Sequence, residues 1–324
     1  MAEWTLSSAL NRALLDAMDE DPRLLVFGED VGRLGGVFRV TDGLQAKFGE
    51  ERVFDTPIAE SGFLGAAIGL ALTGWKSVVE MQFDGFTYPA FEQLVSHLAK
   101  YRNRTRGRVE LPIVVRIPSF GGIRGKEHHG ESPETYFVHT AGLKVVAPSG
   151  ALDGYRLLRR AISDPDPVIF LEPKARYWAK EEGELTTDGP GIGDAVVVRE
   201  GSSCVVFAYG AMVTRCLETA DTLANDGIEV RVVDLRSLSP LDVEAIGRCA
   251  RETGRAVVVH EAPKTLGLGA EVMARIVEEA FDHLEAPIAR VTGWDVPYPP
   301  ASLEAAYLPS VERISEAVRR VVAY

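Results

Sequence analysis

The sequence predicts an α/β protein of two domains, each a largely parallel sheet covered by helices on both faces. Short β-branched runs alternate with longer helical segments along most of the chain, as in successive βαβ units. A polar stretch with little periodicity divides this pattern, and the 324 residues suffice for two cores of ordinary size. We therefore predict a first domain at 1–175, a linker at 176–194 and a second domain at 195–324.

The overall composition excludes several function classes. Hydrophobic residues make up 46% and charged residues 25% of the chain, as in a globular protein. The net charge of −12 argues against a nucleic-acid or anionic-membrane surface. Residues 1–20 do not resemble a signal peptide, and no apolar run reaches transmembrane length. The three cysteines, Cys204, Cys216 and Cys249, lack CxxC spacing and are expected to be reduced core residues of a cytoplasmic protein.

In the first domain, apolar runs predict strands at 24–27, 53–54, 77–83, 111–117, 143–147 and 168–171. Helical periodicity and turn signals predict a first helix from residue 6 to the Asp21-Pro22 turn, and further helices at 42–48, 61–74, 89–101 and 151–162. The same patterns in the second domain predict strands at 204–209, 230–234, 256–260 and 289–291, and helices at 213–224, 241–251, 271–283 and 309–324.

The segment 61–74 is the most unusual of these helices. It consists of Gly, Ala and aliphatic residues, with no charge before Lys76, and so predicts a helix that is buried all round. Gly62, Ala66 and Gly69 fall on roughly one face. Glycine costs about 1 kcal/mol in a helix interior, so this face predicts close approach of another backbone.

Glu60 stands at the start of this helix, and its role has two interpretations. An acid in the first turn complements the helix dipole, which is a common structural device. Apolar neighbours and the absence of nearby Lys or Arg favour a second interpretation. A carboxyl group desolvated in this way stays protonated near neutral pH and can donate a hydrogen bond to a ligand.

Two further segments are candidates for chemistry. The long loop 119–133 contains the adjacent residues His128 and His129, which suit proton transfer better than metal binding. The segment Gly267-Leu-Gly269-Ala-Glu-Val272 resembles a dinucleotide-binding fingerprint only weakly, because its sixth position is Val and a spacer separates it from the preceding strand.

Four motifs together carry a family resemblance: Glu29, the run 55–60 (DTPIAE), the run 82–86 (QFDGF) and the run 128–133 (HHGESP). With them, nearly the whole chain resembles the beta subunit of the thiamine-diphosphate-dependent decarboxylating component of 2-oxo acid dehydrogenase complexes. The resemblance implies a pyrimidine-binding α/β domain followed by a transketolase C-terminal-like domain. Residues 27–31, 35–39 and 100–102 are most similar to branched-chain members, although pyruvate and acetoin members share much of this wording.

The resemblance also assigns residues to a cofactor site. It implies that Glu60 contacts the pyrimidine N1′ of thiamine diphosphate, with Glu29 as its hydrogen-bonded partner. The other residues that match the pyrimidine pocket are Ile58, Ala59, Gln82 and Phe86.

On the substrate side, the resemblance places Phe86, His128 and His129, and it implies that His129 assists acyl transfer to a lipoyl group. Asp164 and Asp166 resemble part of a structural potassium site. The expected activity is oxidative decarboxylation of a branched-chain 2-oxo acid such as 3-methyl-2-oxobutanoate, with pyruvate or acetoin dehydrogenase as the alternative.

One motif of the thiamine enzymes is absent, since no Gly-Asp-Gly occurs in the chain. That motif holds magnesium and the diphosphate, so an alpha subunit is expected to supply both, in an α2β2 heterotetramer that acylates a lipoyl-bearing acyltransferase. Two other classes stay open: a self-sufficient transketolase-type enzyme, and a non-catalytic nucleotide-binding protein.

Overall fold

The first half of the chain builds a seven-stranded sheet. A computed structural model describes residues 2–324. The sheet has the order β12-β6-β7-β5-β4-β2-β3, and all its neighbours are parallel except β12 and β6. Its strands are β2 (Leu24–Gly28), β3 (Val53–Asp55), β4 (Lys76–Glu80), β5 (Ile113–Ser119), β6 (Lys144–Val146), β7 (Val168–Pro173) and β12 (Ser237–Ser239).

Helices cover both faces of this sheet. They are α1 (Leu6–Glu20), α2 (Leu44–Phe48), α3 (Glu60–Leu72), α4 (Tyr101–Arg104), α5 (Glu134–Val138) and α6 (Ala151–Ser163). Helix α1 packs against α6 on one face, where its apolar positions meet a fully buried cluster of side chains. Helix α3 packs against β4 and β5 on the other face.

The second half forms a five-stranded sheet in the order β14-β13-β10-β11-β9, with only β9 antiparallel. Its strands are β9 (Val196–Arg199), β10 (Cys204–Ala208), β11 (Val230–Asp234), β13 (Ala256–Pro263) and β14 (Ala289–Gly293). The helices around it are α7 (Met212–Ala224), α8 (Val243–Thr253), α9 (Leu268–Ala280), α10 (Glu304–Tyr307) and α11 (Val311–Val322).

The two halves are joined more closely than the sequence indicates. Strand β12 belongs to the second half but pairs with β6 at the edge of the first sheet. One hydrophobic cluster runs from Leu25 in the first half to Ile276 in the second. The predicted linker also contains β8 (Lys180–Gly183), which pairs antiparallel with β1 (Ala2–Thr5) at the start of the chain. The bounds of the two domains stay a prediction.

The expected parallel α/β architecture is confirmed, but the segment 89–101 is not the regular helix that we predict. It is a chain of short 3-10 and π turns, namely Asp84–Ala90, Gln93–His97 and Leu98–Lys100, followed by α4. Pro89 lies inside the first of these turns. Proline has no N–H to donate to the preceding turn, so it affects Asp84–Ala90 but does not explain the turns that follow it.

The prediction that the glycine-rich helix is buried all round is wrong for this chain alone. Phe63, Leu64 and Ala67 of α3 are buried, whereas Gly62, Ala66 and Gly69 face outwards. The apolar residues of α3 therefore form two different surfaces. One packs against the sheet, and the other is an unpartnered stripe of small residues.

The cysteines are free and buried, as expected. Within residues 2–324, no helix combines the length and the apolar character that crossing a bilayer requires.

Candidate active site

The strand order brings three predicted site residues together at the carboxyl ends of the strands of the first sheet. Glu29 follows the carboxyl end of β2, and Glu60 opens α3 just after β3. Strand β2 lies between β3 and β4, so Gln82, two residues beyond β4, reaches the same edge. The carboxyl ends of parallel strands are where open α/β sheets bind ligands.

Glu29 and Glu60 form a pair of buried carboxyl groups. Their side chains are 5% and 6% exposed, and Oε1 of Glu29 has no hydrogen-bond partner within the described residues. Burial, the negative charge of Glu60 and a hydrogen bond between the two carboxyl groups raise the pKa of Glu29 to about 7. Glu29 therefore keeps its proton much closer to neutral pH than an ordinary carboxyl group does.

Beside this pair, the segment that precedes α3 is accessible to solvent. The helix begins at Glu60 with no side-chain cap, and Ala59 accepts hydrogen bonds from the N–H groups of Gly62 and Phe63. Ile58 is 84% exposed although it is a large aliphatic residue. Beside it lies an apolar cavity of about 280 Å³, lined by Phe27, Phe54, Thr56, Pro57, Ala59, Gly62, Phe63, Ala66 and Leu70.

The amide of Gln82 donates a hydrogen bond of 2.7 Å to Oδ2 of Asp30. Asp30 adopts a positive φ of 58° directly after Glu29, and its charge also contributes to the raised pKa of Glu29. Asp30 therefore fixes the amide of Gln82 next to Glu29.

His129 belongs to an aromatic cluster. Its ring lies edge-on to Phe83, with centroids 4.3 Å apart, and edge-on to Phe86 at 5.4 Å. Nδ1 of His129 lies 2.8 Å from the carbonyl oxygen of Glu127. Since a carbonyl only accepts, Nδ1 carries the proton and Nε2 is left as the reactive nitrogen.

Its neighbour His128 is exposed, and its Nδ1 lies 3.6 Å from Oε1 of Glu131. Glu131 also accepts a hydrogen bond from the hydroxyl of Tyr88. The two histidines therefore point to different surroundings: His129 to the aromatic cluster and His128 to solvent and an acid.

The carboxylates of Asp164 and Asp166, the predicted potassium ligands, pair with protein cations. Both oxygens of Asp164 accept from Nζ of Lys144, at 2.7 and 2.8 Å. Asp166 pairs with Lys144 at 3.2 Å and with Arg102 at 3.0 Å. Two protein cations thus neutralise these acids, and the potassium site stays a prediction.

The weak dinucleotide fingerprint has a packing explanation. A Cβ on Gly267 or Gly269 would lie 2.6 or 2.7 Å from the ring of His260, which is fully buried. These glycines therefore accommodate a histidine ring at the start of α9, and the segment does not support a nucleotide-binding function.

Phe83 is the site residue that sequence reasoning missed. It connects Gln82 to the aromatic cluster and contacts both Phe86 and His129. The available signal was the repetition of Phe three residues apart beside Gly85, which predicts two rings at one strand end.

Comparison with known proteins identifies the fold and the family of this chain. The transketolase pyrimidine binding domain family matches residues 2–179, and the transketolase C-terminal domain family matches residues 193–314. A solved structure described as a split gene transketolase, an inactive beta4 tetramer, superposes with a TM-score of 0.80 over 98% of both chains. At 24% identity, this likeness shows the fold alone.

Curated relatives are closer in sequence. A 3-methyl-2-oxobutanoate dehydrogenase subunit beta of Mycobacterium tuberculosis is 55% identical over 98% of this chain and 92% of its own length. A pyruvate dehydrogenase E1 component subunit beta of Leifsonia xyli is 50% identical over 98% and 94%. A 2-oxoisovalerate dehydrogenase subunit beta of Pseudomonas aeruginosa is 44% identical over 99% and 96%. With both domain families and these relatives matched along its length, the chain belongs to the family of 2-oxo acid dehydrogenase beta subunits.

Proposed function

We propose that this chain supplies the pyrimidine half of a thiamine diphosphate site in a branched-chain 2-oxo acid dehydrogenase, and that an alpha subunit supplies the other half. The observation that carries the proposal is the pair of buried carboxyl groups, Glu29 and Glu60, at the carboxyl ends of the strands. The pKa of Glu29 in this pair is raised. Bound thiamine diphosphate supplies the carbanion chemistry for decarboxylation of a 2-oxo acid.

The residues of this chain would bind and orient the aminopyrimidine. Glu60 offers a carboxyl group at the head of α3, and Glu29 keeps a proton available to it. Ile58 and Ala59 present an exposed apolar surface there, and Gln82 and Phe86 flank the edge. A protonated acid can donate a hydrogen bond to a ring nitrogen, which an ionised acid cannot do.

His129 would act at the later step of acyl transfer to a lipoyl group of an acyltransferase. Its Nε2 would exchange a proton with the sulfur that is released when the lipoyl disulfide opens and accepts the two electrons and the acyl group, while the carbonyl of Glu127 fixes the ring. Phe83 and Phe86 exclude water from one side of the ring. His128 lies beside it on the exposed side of the loop.

An alpha subunit would hold the diphosphate and its magnesium. This chain has no Gly-Asp-Gly motif, and hard cations on phosphates need carboxylate and carbonyl oxygens at fixed positions. The outward stripe of Gly62, Ala66 and Gly69 suits close packing of a partner helix. This stripe lies one to three turns from Glu60, so a partner bound there would reach the cofactor. An α2β2 assembly satisfies both requirements.

The substrate preference rests on the relatives. The most similar of those described above is named for 3-methyl-2-oxobutanoate, and a pyruvate dehydrogenase subunit is only slightly less similar. Branched and linear 2-oxo acids differ by methyl groups, each of which is worth about 1 to 3 kcal/mol in a fitted pocket.

A substrate panel on the reconstituted pair tests this proposal. The chain and its alpha partner are assayed together for decarboxylation of 3-methyl-2-oxobutanoate and of pyruvate. We expect the branched substrate to have the higher kcat/KM by about tenfold or more. A preference for pyruvate would assign the chain to a pyruvate dehydrogenase, whereas no decarboxylation of any 2-oxo acid would refute the proposal.

Gly69→Leu tests the assembly surface separately. A Cβ at Gly69 meets no atom within 4 Å, so the isolated chain should keep its stability or gain up to about 1 kcal/mol from helix propensity. Assembly with the alpha subunit should be lost, as measured by sedimentation. Thr222→Leu, which also places a leucine on an exposed helix face, that of α7, is the control. Normal assembly of Gly69→Leu would exclude this face as the interface.

A further inference from the structure

The loop that carries the two histidines has an unfavourable backbone. Between β5 and α5, Phe120, Arg124 and His128 have positive φ values of 73°, 55° and 65°. Residues with side chains rarely adopt this region unless their surroundings enforce it. The loop shape must therefore be stabilised by contacts from outside the loop.

Two carboxylates of the second domain provide such contacts at the start of the loop. Oε2 of Glu261, at the end of β13, accepts a hydrogen bond of 2.8 Å from the N–H of Gly121. Glu304, at the start of α10, accepts from the N–H of Gly122 and, with both oxygens, from that of Arg124, all at 3.1 Å. Three backbone donors in four residues thus end on acids from more than 130 positions away.

Tyr298 completes this contact. Its hydroxyl donates a hydrogen bond of 2.7 Å to Oε1 of Glu304. Its ring lies against Gly130, where a Cβ would approach a ring carbon to 2.3 Å, and its hydroxyl lies against Gly121. Because Gly130 directly follows His129, the tyrosine contacts the loop on both sides of the histidine pair.

The far end of the loop is held by the second domain as well. Glu134, the first residue of α5, is fully buried and accepts a hydrogen bond of 2.6 Å from the hydroxyl of Tyr209. Tyr209 follows β10 in the second sheet. Both ends of the histidine loop are therefore fixed to the second domain.

These acids are costly to bury. Burial raises the pKa of Glu261 to about 7 and that of Glu134 to about 6. The hydrogen-bond partners of Glu261 and Glu304 are backbone N–H groups and one tyrosine, and none is a cation. A carboxylate that accepts several N–H bonds is a strong acceptor, so the arrangement favours loop geometry at the expense of solvation.

We infer that Glu304, with Glu261 and Tyr298, is a positioning residue: it holds the histidine loop in the shape that acyl transfer requires. This inference rests on the proposed function of His129. By this inference, residues of the second domain take part in the chemistry of the first domain, because they hold a loop that belongs to the first domain.

Glu304→Ala in the assembled alpha–beta pair tests the inference. Arg124 and Lys126 are exposed trypsin sites inside the loop. Removing the side chain that accepts from three donors should speed cleavage after these two residues by at least about tenfold. Mass spectrometry of the released peptides measures this rate without reference to activity.

The partial reactions give a second readout. Decarboxylation, followed with an artificial electron acceptor, should fall only slightly in Glu304→Ala. The kcat for acylation of a free lipoyl domain should fall by about tenfold or more. Glu304→Gln keeps one oxygen for Gly122 and Tyr298 and should recover part of both losses.

Asp242→Ala is the matched control. Asp242 caps α8 in the same domain and accepts from the N–H groups of Ala245 and Ala195, but it does not touch the loop. It should destabilise the second domain and leave loop cleavage unchanged.

Cleavage of Glu304→Ala at the wild-type rate, or equal acceleration in Asp242→Ala, would overturn the inference. If the wild-type pair decarboxylates no 2-oxo acid, the proposed function fails, and the cleavage rates still decide whether Glu304 holds the loop.

Discussion

Two pairs of buried glutamates lie in or beside the first sheet. One pair has a cation between its carboxylates, and the other does not. Glu80 and Glu172 flank Arg116 on three adjacent strands. Arg116 donates to Glu80 at 2.6 Å and to both oxygens of Glu172 at 2.6 and 2.9 Å. Glu29 and Glu60 are also buried, but no cation is among the causes of the pKa shift of Glu29. Burial and the charges of Glu60 and Asp30 raise that pKa.

The difference separates structural from functional burial. The Arg116 guanidinium binds Glu172 in bidentate geometry and Glu80 through one oxygen, and so compensates the charge of both acids within the fold. An acid pair without a cation raises the free energy of the folded state and retains a proton that a ligand can use. Both pairs look alike as acids in apolar sequence, and only their partners distinguish them.

The largest expected effect is on turnover in Glu60→Gln. The substitution preserves size and removes the acid, so decarboxylation by the alpha–beta pair should fall by about 10² to 10⁴-fold. The unfolding free energy of the isolated chain should change by no more than about 1 kcal/mol. Unchanged turnover would place Glu60 with the structural pair and remove the contrast.

Arg116→Met should have the opposite profile. It leaves two buried carboxylates without their cation, and should lower the unfolding free energy by about 3 to 5 kcal/mol. Denaturant titration of the isolated chain measures this. Arg275→Met, which removes an exposed cation beside Glu271, is the control and should leave stability unchanged. A loss as small as that of the control would show that the Arg116 network is not structural.

His129→Ala should separate two steps of the reaction. Acylation of a lipoyl domain should fall about tenfold further than decarboxylation, because the role proposed for the imidazole is proton transfer in the later step only. Rapid-mixing assays of each half-reaction measure the ratio. The exposed His97→Ala should change neither rate. Equal losses in both steps of His129→Ala would refute the assigned role.

The smallest effect is the pH dependence that Glu29 adds to stability. Its folded pKa of about 7 lies above the ordinary value of 4.5. The folded state therefore binds a proton that the unfolded state has lost, and stability falls as pH rises from about 4.5 to 7. Allowing for solvent at the mouth of the site, the loss should be on the order of 1 kcal/mol.

Unfolding curves of the wild type and Glu29→Gln across this range give the contribution by difference. The variant should lose less stability between pH 4.5 and 7. Parallel curves would show that the two carboxyl groups do not share a proton.

The location of the two acids in the candidate active site could be predicted from the sequence. Glu29 and Glu60 each stand where a short apolar run meets a turn, and parallel pairing places such positions at one edge. The exposed stripe on α3 is a partial success, because the small residues were recognised and their exposure was not. Composition alone cannot distinguish a buried face from one that awaits a partner.

Other features depend on contacts that sequence patterns do not encode. Glu304 contacts Gly122 across 182 positions, and it lies in a short helix without a motif. Strand β12 has three residues and joins the sheet of the other half. The π and 3-10 turns at 93–100 replace a regular α-helix although the periodicity of the segment is helical.

The central claim is that this chain holds half of an active centre around Glu60. Titrating the alpha partner into a fixed amount of the chain, with thiamine diphosphate, magnesium and 3-methyl-2-oxobutanoate present, tests it most directly. We predict no decarboxylation from either chain alone and an activity that rises to a plateau at one alpha per beta. Decarboxylation by this chain without a partner would contradict the claim.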